Sequence, residues 1–176
     1  TVTDACGNVS ASYSQVITII DTQAPTWTTA ANFLDRTVQC SDAAGIAAAQ
    51  ALFPAASDNC DPDVSNIVKV AGVFVAGSCP EAGTYTNTWT VTDACGNVSA
   101  SYSQVITIID TQAPTFTRPV DDVICRSADC SFDTNPGITG DVNDENDNCS
   151  TSMNATYSDD ISGAADCDKA GIILRT

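Results

Sequence analysis

Histidine is absent from the 176 residues, so no Ser-His-Asp triad and no imidazole metal site can be assembled from this chain. No Cys-x-x-Cys pair occurs, which removes the usual zinc-ribbon and redox spacings. Basic residues are scarce: 6 Lys and Arg stand against 22 Asp and Glu, for a net charge of −16. A nucleic-acid partner needs cations to displace condensed counterions, and an anionic membrane surface needs the same, so both are excluded as partners. There is no run of 18 apolar residues, so the sequence predicts no membrane insertion in this segment. No Gly-rich phosphate loop appears. Lys, Glu and Leu, which favour helices, are sparse.

What is present is repetition. The stretch TVTDACGNVSASYSQVITIIDTQAPT fills residues 1–26 and returns unchanged at residues 90–115, 89 residues later. An echo of this period reads as a tandem array. The expected organisation is residues 1–20 as the last strands of a preceding repeat, 21–109 as one complete repeat, and 110–176 as most of a following, diverged one. Chain start and chain end fall at nearly the same phase of the repeat, so the polypeptide is expected to continue on both sides.

The composition is strand-like, rich in Thr, Val, Ile and Ser. In residues 98–109, Val98, Ala100, Tyr102, Gln104, Ile106 and Ile108 share one face; Gln104 is its one strongly polar member, and a register shift is expected near it. Residues 84–92 alternate as well, with Tyr85, Trp89 and Val91 inward. The link Asp93–Asn97 is short and turn-rich, so the two strands form a hairpin. Further strands are expected at 66–75 and 36–40. Residues 41–53 are alanine-rich, with Ser41 or Asp42 as N-cap and Pro54 as a stop, and read as a short helix. The matching SFDTNPGITGD of the diverged copy lacks helical character. Short strands, turn signals and a period near 90 residues predict an all-β fold of tandem antiparallel Greek-key immunoglobulin-like β-sandwiches, with one short helix in the complete repeat. The DTQAPT linker stiffens each entry through Pro25 and Pro114.

Nine cysteines point to disulfides and an oxidising, extracellular compartment. In such a sandwich, the loop holding Cys60 and the hairpin turn holding Cys95 lie at one end. Cys40 and Cys79 lie at the other. The expected pairs are therefore Cys60–Cys95 and Cys40–Cys79. In the diverged copy Cys149 matches Cys60 and Cys167 matches Cys79. Cys130–Cys167 is the favoured pair and Cys125–Cys130 the alternative. The partners of Cys6 and Cys149 are expected beyond residues 1 and 176.

TDACGN, the DT-x-AP linker, SDNC, and PVDDVICRSADC followed by GDVNDENDNCSTSMNATYSDD together resemble the hyalin-type, immunoglobulin-like repeats of Bacteroidota secreted cell-surface adhesins. The resemblance covers essentially the whole chain. It implies a surface adhesin or filament, export by the type IX pathway, and modules acting as stalk between other functional parts.

The carboxylates are the candidate site. Asp58, Asp61 and Asp63 share one loop and Asp93 lies in the hairpin turn, so a Cys60–Cys95 bond would gather them, with Asp21 in the entering linker at the same end. Clustered carboxylates suit Ca²⁺, which takes six to eight hard oxygens. The diverged copy offers Asp141, Asp144 and Asp147, with Asp110 in its linker; the run lacks the Gly and Glu of an EF-hand. The competing reading is solvated acidic loops whose aspartates cap turns. Paired carboxylates repeated from module to module do not suit a unique glycosidase cleft, and the segment is read as non-enzymatic. Trp27, Trp89, Tyr13, Tyr85, Tyr102 and Tyr157 read as core or junction packing rather than a sugar platform.

The sequence reading is a structural repeat segment of an extracellular surface adhesin or filament, a disulfide-stapled stalk with Ca²⁺ as the one candidate cofactor. Its partners are neighbouring repeats of the same chain and other chains in a filament. A glycan- or surface-binding module and a spacer in a secreted multidomain enzyme are the alternatives.

Overall fold

A computed structural model describes residues 1–164 and 171–176. The elements in chain order are β1 (Thr26–Trp27), β2 (Arg36–Gln39), α1 (Ala43–Gln50), β3 (Ala56–Ser57), β4 (Ile67–Val70), β5 (Val75–Ala76), β6 (Gly83–Val91), β7 (Tyr102–Ile109), α2 (Pro136–Thr139), β8 (Asp159–Asp160), a 3₁₀ turn (Ser162–Ala164) and β9 (Leu174–Arg175). Strands dominate and helices are few. The chain separates into two compact units, one of residues 1–34, 53–72 and 87–104, the other of residues 35–52, 73–86 and 105–176. Residues 83–86 and 105–109 fall in the second unit, and residues 87–91 and 102–104 in the first.

In the first unit β4 pairs antiparallel with the second half of β6, from Ile67 opposite Val91 to Val70 opposite Thr88. β1 pairs antiparallel with β3. Trp89, Val91, Tyr102 and Leu34 are buried. Tyr102 meets two indoles, with ring centroids 5.5 Å from Trp27 and 6.0 Å from Trp89. Such tilted and edge contacts suit the ring quadrupoles. The Trp27 indole N–H donates to the Ala100 carbonyl at 2.7 Å, and the Tyr102 hydroxyl to that of Ala30 at 2.8 Å, so both polar tips are satisfied. The expected register shift at Gln104 does not occur. β7 alternates without interruption, and Gln104 faces inward because Asn87 on β6 meets it there.

In the second unit β2 runs parallel to β7, from Arg36 opposite Ile106 to Gln39 opposite Ile109. This departs from the all-antiparallel expectation. β5 pairs with the start of β6. At that crossing a Cβ on Gly83 would sit 2.2 Å from the Val75 carbonyl oxygen, so only glycine lets the strands close. The expected strand 66–75 is thus two short strands, β4 and β5. Ile106, Ile108 and Ala49 form the core, with Val38, Cys40, Ile46, Phe74 and Tyr85 packed against it. Ala49 and Ile46 come from α1, whose alanines let the helix lie close. Asp42 is its N-cap, its Oδ1 accepting from the Gly45 N–H at 2.8 Å.

One bridge in residues 110–176 matches a pairing seen 89 residues earlier. Thr115 bridges Asn146, as Thr26 pairs with Ser57. The segment expected to lack helical character carries the one-turn helix α2, capped by Asn135. β8 and β9 pair antiparallel, and the Arg175 guanidinium binds Asp159 at 2.7 Å while lying 4.3 Å from the Tyr157 ring centroid.

Candidate functional site

The TDACGN turn is built around one carboxylate. Asp93 Oδ1 accepts from the backbone N–H of Cys95 at 2.9 Å and of Asn97 at 2.7 Å, while Oδ2 accepts from Asn97 Nδ2 at 2.7 Å. Gly96 closes the turn at φ +94°, where a side chain would be strained. Asp93 is 7 % exposed. Burial alone would raise its pKa, but the side-chain and backbone hydrogen bonds of Asn97, with those of Gly96 and Cys95, outweigh it and hold the carboxyl below the ordinary 3.8.

The SDNC loop is organised the same way. Asp58 Oδ1 accepts from the N–H of Cys60 at 2.9 Å and of Asp61 at 3.1 Å. Asp61 Oδ2 then accepts from the Ala94 N–H at 3.0 Å, which ties this loop to the hairpin turn. Asn97 Nδ2 also reaches the Asp21 carbonyl at 3.4 Å, which draws in the linker. The result is that carboxylate oxygens of Asp21, Asp58 and Asp93 all lie within 4.8 Å of one another. Desolvation, followed by the charges of Asp21, Asp58, Cys95 and Asp93, pushes the Cys60 thiol up.

The other aspartates proposed as ligands lie outside this group. Asp61 joins loop to turn, and Asp63 caps its own loop through the Ser65 N–H at 3.2 Å. Asp110 sits beside Cys40 and Cys149. Asp141 accepts from the Val142 N–H at 2.8 Å, Asp144 from Thr117 at 2.9 Å, and Asp147 from Cys149 at 2.9 Å. These three are turn and bridge caps. Asn97 was missed as a site residue, although Asp-x-x-x-Asn recurs in both copies of the turn.

The cysteines do not follow the expected scheme. Cys40 is bonded to Cys149, with Cα atoms 5.9 Å apart, in place of Cys79. Cys149 is therefore bonded within the chain, not beyond residue 176. Backbone and amide contacts explain the pairing. The Cys40 N–H donates to the Ile109 carbonyl at 2.8 Å, fixing Cys40 at the end of β2. Asp147 caps the turn that carries Cys149, and Asn148 Nδ2 donates to Ser41 Oγ at 3.0 Å. Cys79 is instead a free thiol, 3.1 Å from Glu81 Oε2. Cys60 and Cys95 are free thiols in the same neighbourhood, as are the isolated Cys6 and Cys125. Cys130 is disulfide-bonded; its expected partner Cys167 lies outside the described residues.

Trp89 and Tyr102 are buried and Trp27 meets Tyr102 in a tilted contact, whereas Tyr13 and Tyr157 are exposed. Lys69 lies over the faces of Trp89 and Phe53, 5.3 and 5.9 Å from the centroids.

Comparison with known proteins places a HYR-like domain with 4 cysteines at residues 28–108, within the expected complete repeat. HYR domains are extracellular adhesion-type repeats. The matched span contains Cys40, Cys60, Cys79 and Cys95, in keeping with that description. No curated protein and no solved structure matches the chain. Among the described residues no helix is long and apolar enough to cross a membrane.

Proposed function

We propose that this chain is a stalk segment of an extracellular adhesin or filament, in which tandem HYR-like, immunoglobulin-like sandwiches supply length and stiffness. The observation that carries this reading is the HYR-like match at residues 28–108 inside a sequence that repeats itself with a period of 89 residues. A repeated unit whose closing stretch and linker are copied without change is one whose contribution is additive, as length is. Strands of this size give on the order of 40 Å per repeat. The direct partners are neighbouring repeats, and side-by-side chains where filaments form. A bacterial surface location with type IX export fits the repeat vocabulary. The segment carries no catalytic role in this reading.

Calcium is the proposed cofactor, at Asp21, Asp58 and Asp93. Among the described residues Oδ2 of Asp21 and of Asp58 takes no protein hydrogen bond and suits a hard cation, while Asp93 Oδ2 accepts from Asn97 Nδ2. An ion there would offset the repulsion of three carboxylates and pin the entering linker to the hairpin turn. The test is electron microscopy of the native parent protein with calcium and with chelator. A beaded rod at about 40 Å spacing that kinks on chelation supports both parts. A rod indifferent to chelator removes the calcium, and a compact particle removes the stalk.

A further inference from the structure

The same eight letters occur in two opposite states. At 102–109, YSQVITII is β7, the strand between β2 and β6, with Ile106 and Ile108 buried. At 13–20 it pairs with no strand among the described residues, and Ile19, the counterpart of Ile108, is 93 % exposed where Ile108 is 4 %. Exposed apolar side chains on an unpaired backbone make a strand that lacks a sheet. Residues 5–20 carry no charged side chain, so this stretch brings no repulsion of its own to an acidic surface.

Residues 110–176 show the complementary gap. β9 is the counterpart of β6: AGTYTNT at 82–88 matches AGIILRT at 170–176. A Cβ on Gly83 or on Gly171 would lie 2.2 Å from a carbonyl oxygen of the facing segment, that of Val75 or of Gly163. β9 pairs antiparallel with β8, as β6 does with β4 and β5. Asp122–Cys125, DVIC, is the counterpart of TVQC at 37–40, which holds most of β2. It pairs with no strand among the described residues, and Val123 is 90 % exposed. No stretch of residues 110–176 has the letters of β7. Counterparts of both neighbours of β7 are there without the strand that joins them.

We propose that residues 13–20 of one copy of this chain add as a β7-type strand to residues 110–176 of a second copy, between Asp122–Cys125 and β9. The pairing of β2 with β7 sets the register. Val38 lies opposite Ile108 and Gln39 opposite Ile109, in parallel. Val123 then lies opposite Ile19 of the other copy, and Ile124 opposite its Ile20. The added strand exchanges water for backbone partners, and Ile17 and Ile19 enter positions equivalent to those of Ile106 and Ile108. Donor and acceptor are different surfaces, so the contact is heterologous. A copy that accepts a strand still has one to donate, and growth is open-ended. The net charge of −16 opposes association, which therefore strengthens as salt screens it. In dilute solution the strand stays free. This inference depends neither on calcium nor on the stalk reading.

The test is sedimentation velocity of the 176-residue chain across a range of concentrations, with the free thiols alkylated so that no disulfide links copies. The mass should rise with concentration past that of a dimer, and rise further at higher salt. Ile17→Asp removes the donor and Val123→Asp the acceptor. Both side chains are exposed within the chain, so neither change disturbs its fold. Each variant alone should stay monomeric. Mixed, the two should form a one-to-one dimer and nothing larger, because one working donor and one working acceptor remain. The proposal is overturned if the unaltered chain is monomeric at every concentration, if either variant alone still associates, or if the mixture yields no dimer.

Discussion

Asn87 Nδ2 donates to Gln104 Oε1 at 3.0 Å, between two side chains that are both 0 % exposed. The pair joins β6 to β7 and is closed on both sides: Gly72 N–H donates to Asn87 Oδ1 at 3.0 Å, and Gln104 Nε2 to the Leu34 carbonyl at 2.7 Å. A polar ladder in a core fixes one register, because any slip leaves buried amides unpaired.

Replacing one member removes the buried amide–amide hydrogen bond from the other. Gln104→Leu is expected to destabilise the chain by about 1–3 kcal/mol, the range for a buried polar group left unsatisfied. Joining it with Asn87→Leu should cost less than the two single changes added together. Urea unfolding of the three variants measures the coupling; strict additivity would show that the pair does not act as a unit.

The hydrogen bonds to Asp93 hold its folded pKa below the unfolded value of 3.8. A depressed carboxyl pKa contributes stability that is complete above the unfolded pKa and disappears as pH falls through the folded one. Thermal melts taken downward from neutral pH should therefore lose stability below about pH 4, and less steeply in Asp93→Asn than in the unaltered chain. Equal acid profiles would mean that the turn gains nothing from the charge.

Calcium is expected to raise the melting temperature, and a chelator to reverse this. At calcium one hundred times the dissociation constant, the gain is about 2.7 kcal/mol. Asp58→Asn and Asp21→Asn should each remove most of the shift, whereas Asp144→Asn, outside the cluster, should leave it intact. A shift that survives Asp58→Asn places the ion elsewhere.

Ile17 and Ile106 are the same residue of the same repeated stretch, yet Ile17 is 76 % exposed and Ile106 is 0 % exposed. Ile106→Ala should cost about 2–5 kcal/mol, as for a large aliphatic residue cut out of a core. Ile17→Ala in this 176-residue chain should fall within about 0.5 kcal/mol of zero. Denaturant melts of the two variants settle this directly, and a comparable loss in Ile17→Ala would show residues 13–20 to be packed in solution.

The identical copies separate what the sequence determines alone from what the tertiary structure decides. Asp4 captures the N–H groups of Cys6 and Asn8 and the Asn8 amide, as Asp93 captures those of Cys95 and Asn97, and Gly7 and Gly96 share positive φ. Asp58 and Asp147 likewise each cap the turn that carries the cysteine two residues on, and Asn59 and Asn148 each set an amide against its sulfur. These motifs close within five residues, so their energetics travel with the letters; the hairpin turn and the α1 cap were legible for that reason. YSQVITII behaves otherwise. At 102–109 it is the strand β7, and at 13–20 it is exposed and pairs with no strand among the described residues. A strand satisfies its backbone only through neighbours distant in sequence, so its letters permit pairing without securing it. The cysteines follow the same division. Their turns were written locally, but the bonding of Cys40 to Cys149 rests on where the end of β2 and the 147–150 loop meet in space, which no spacing of cysteines encodes.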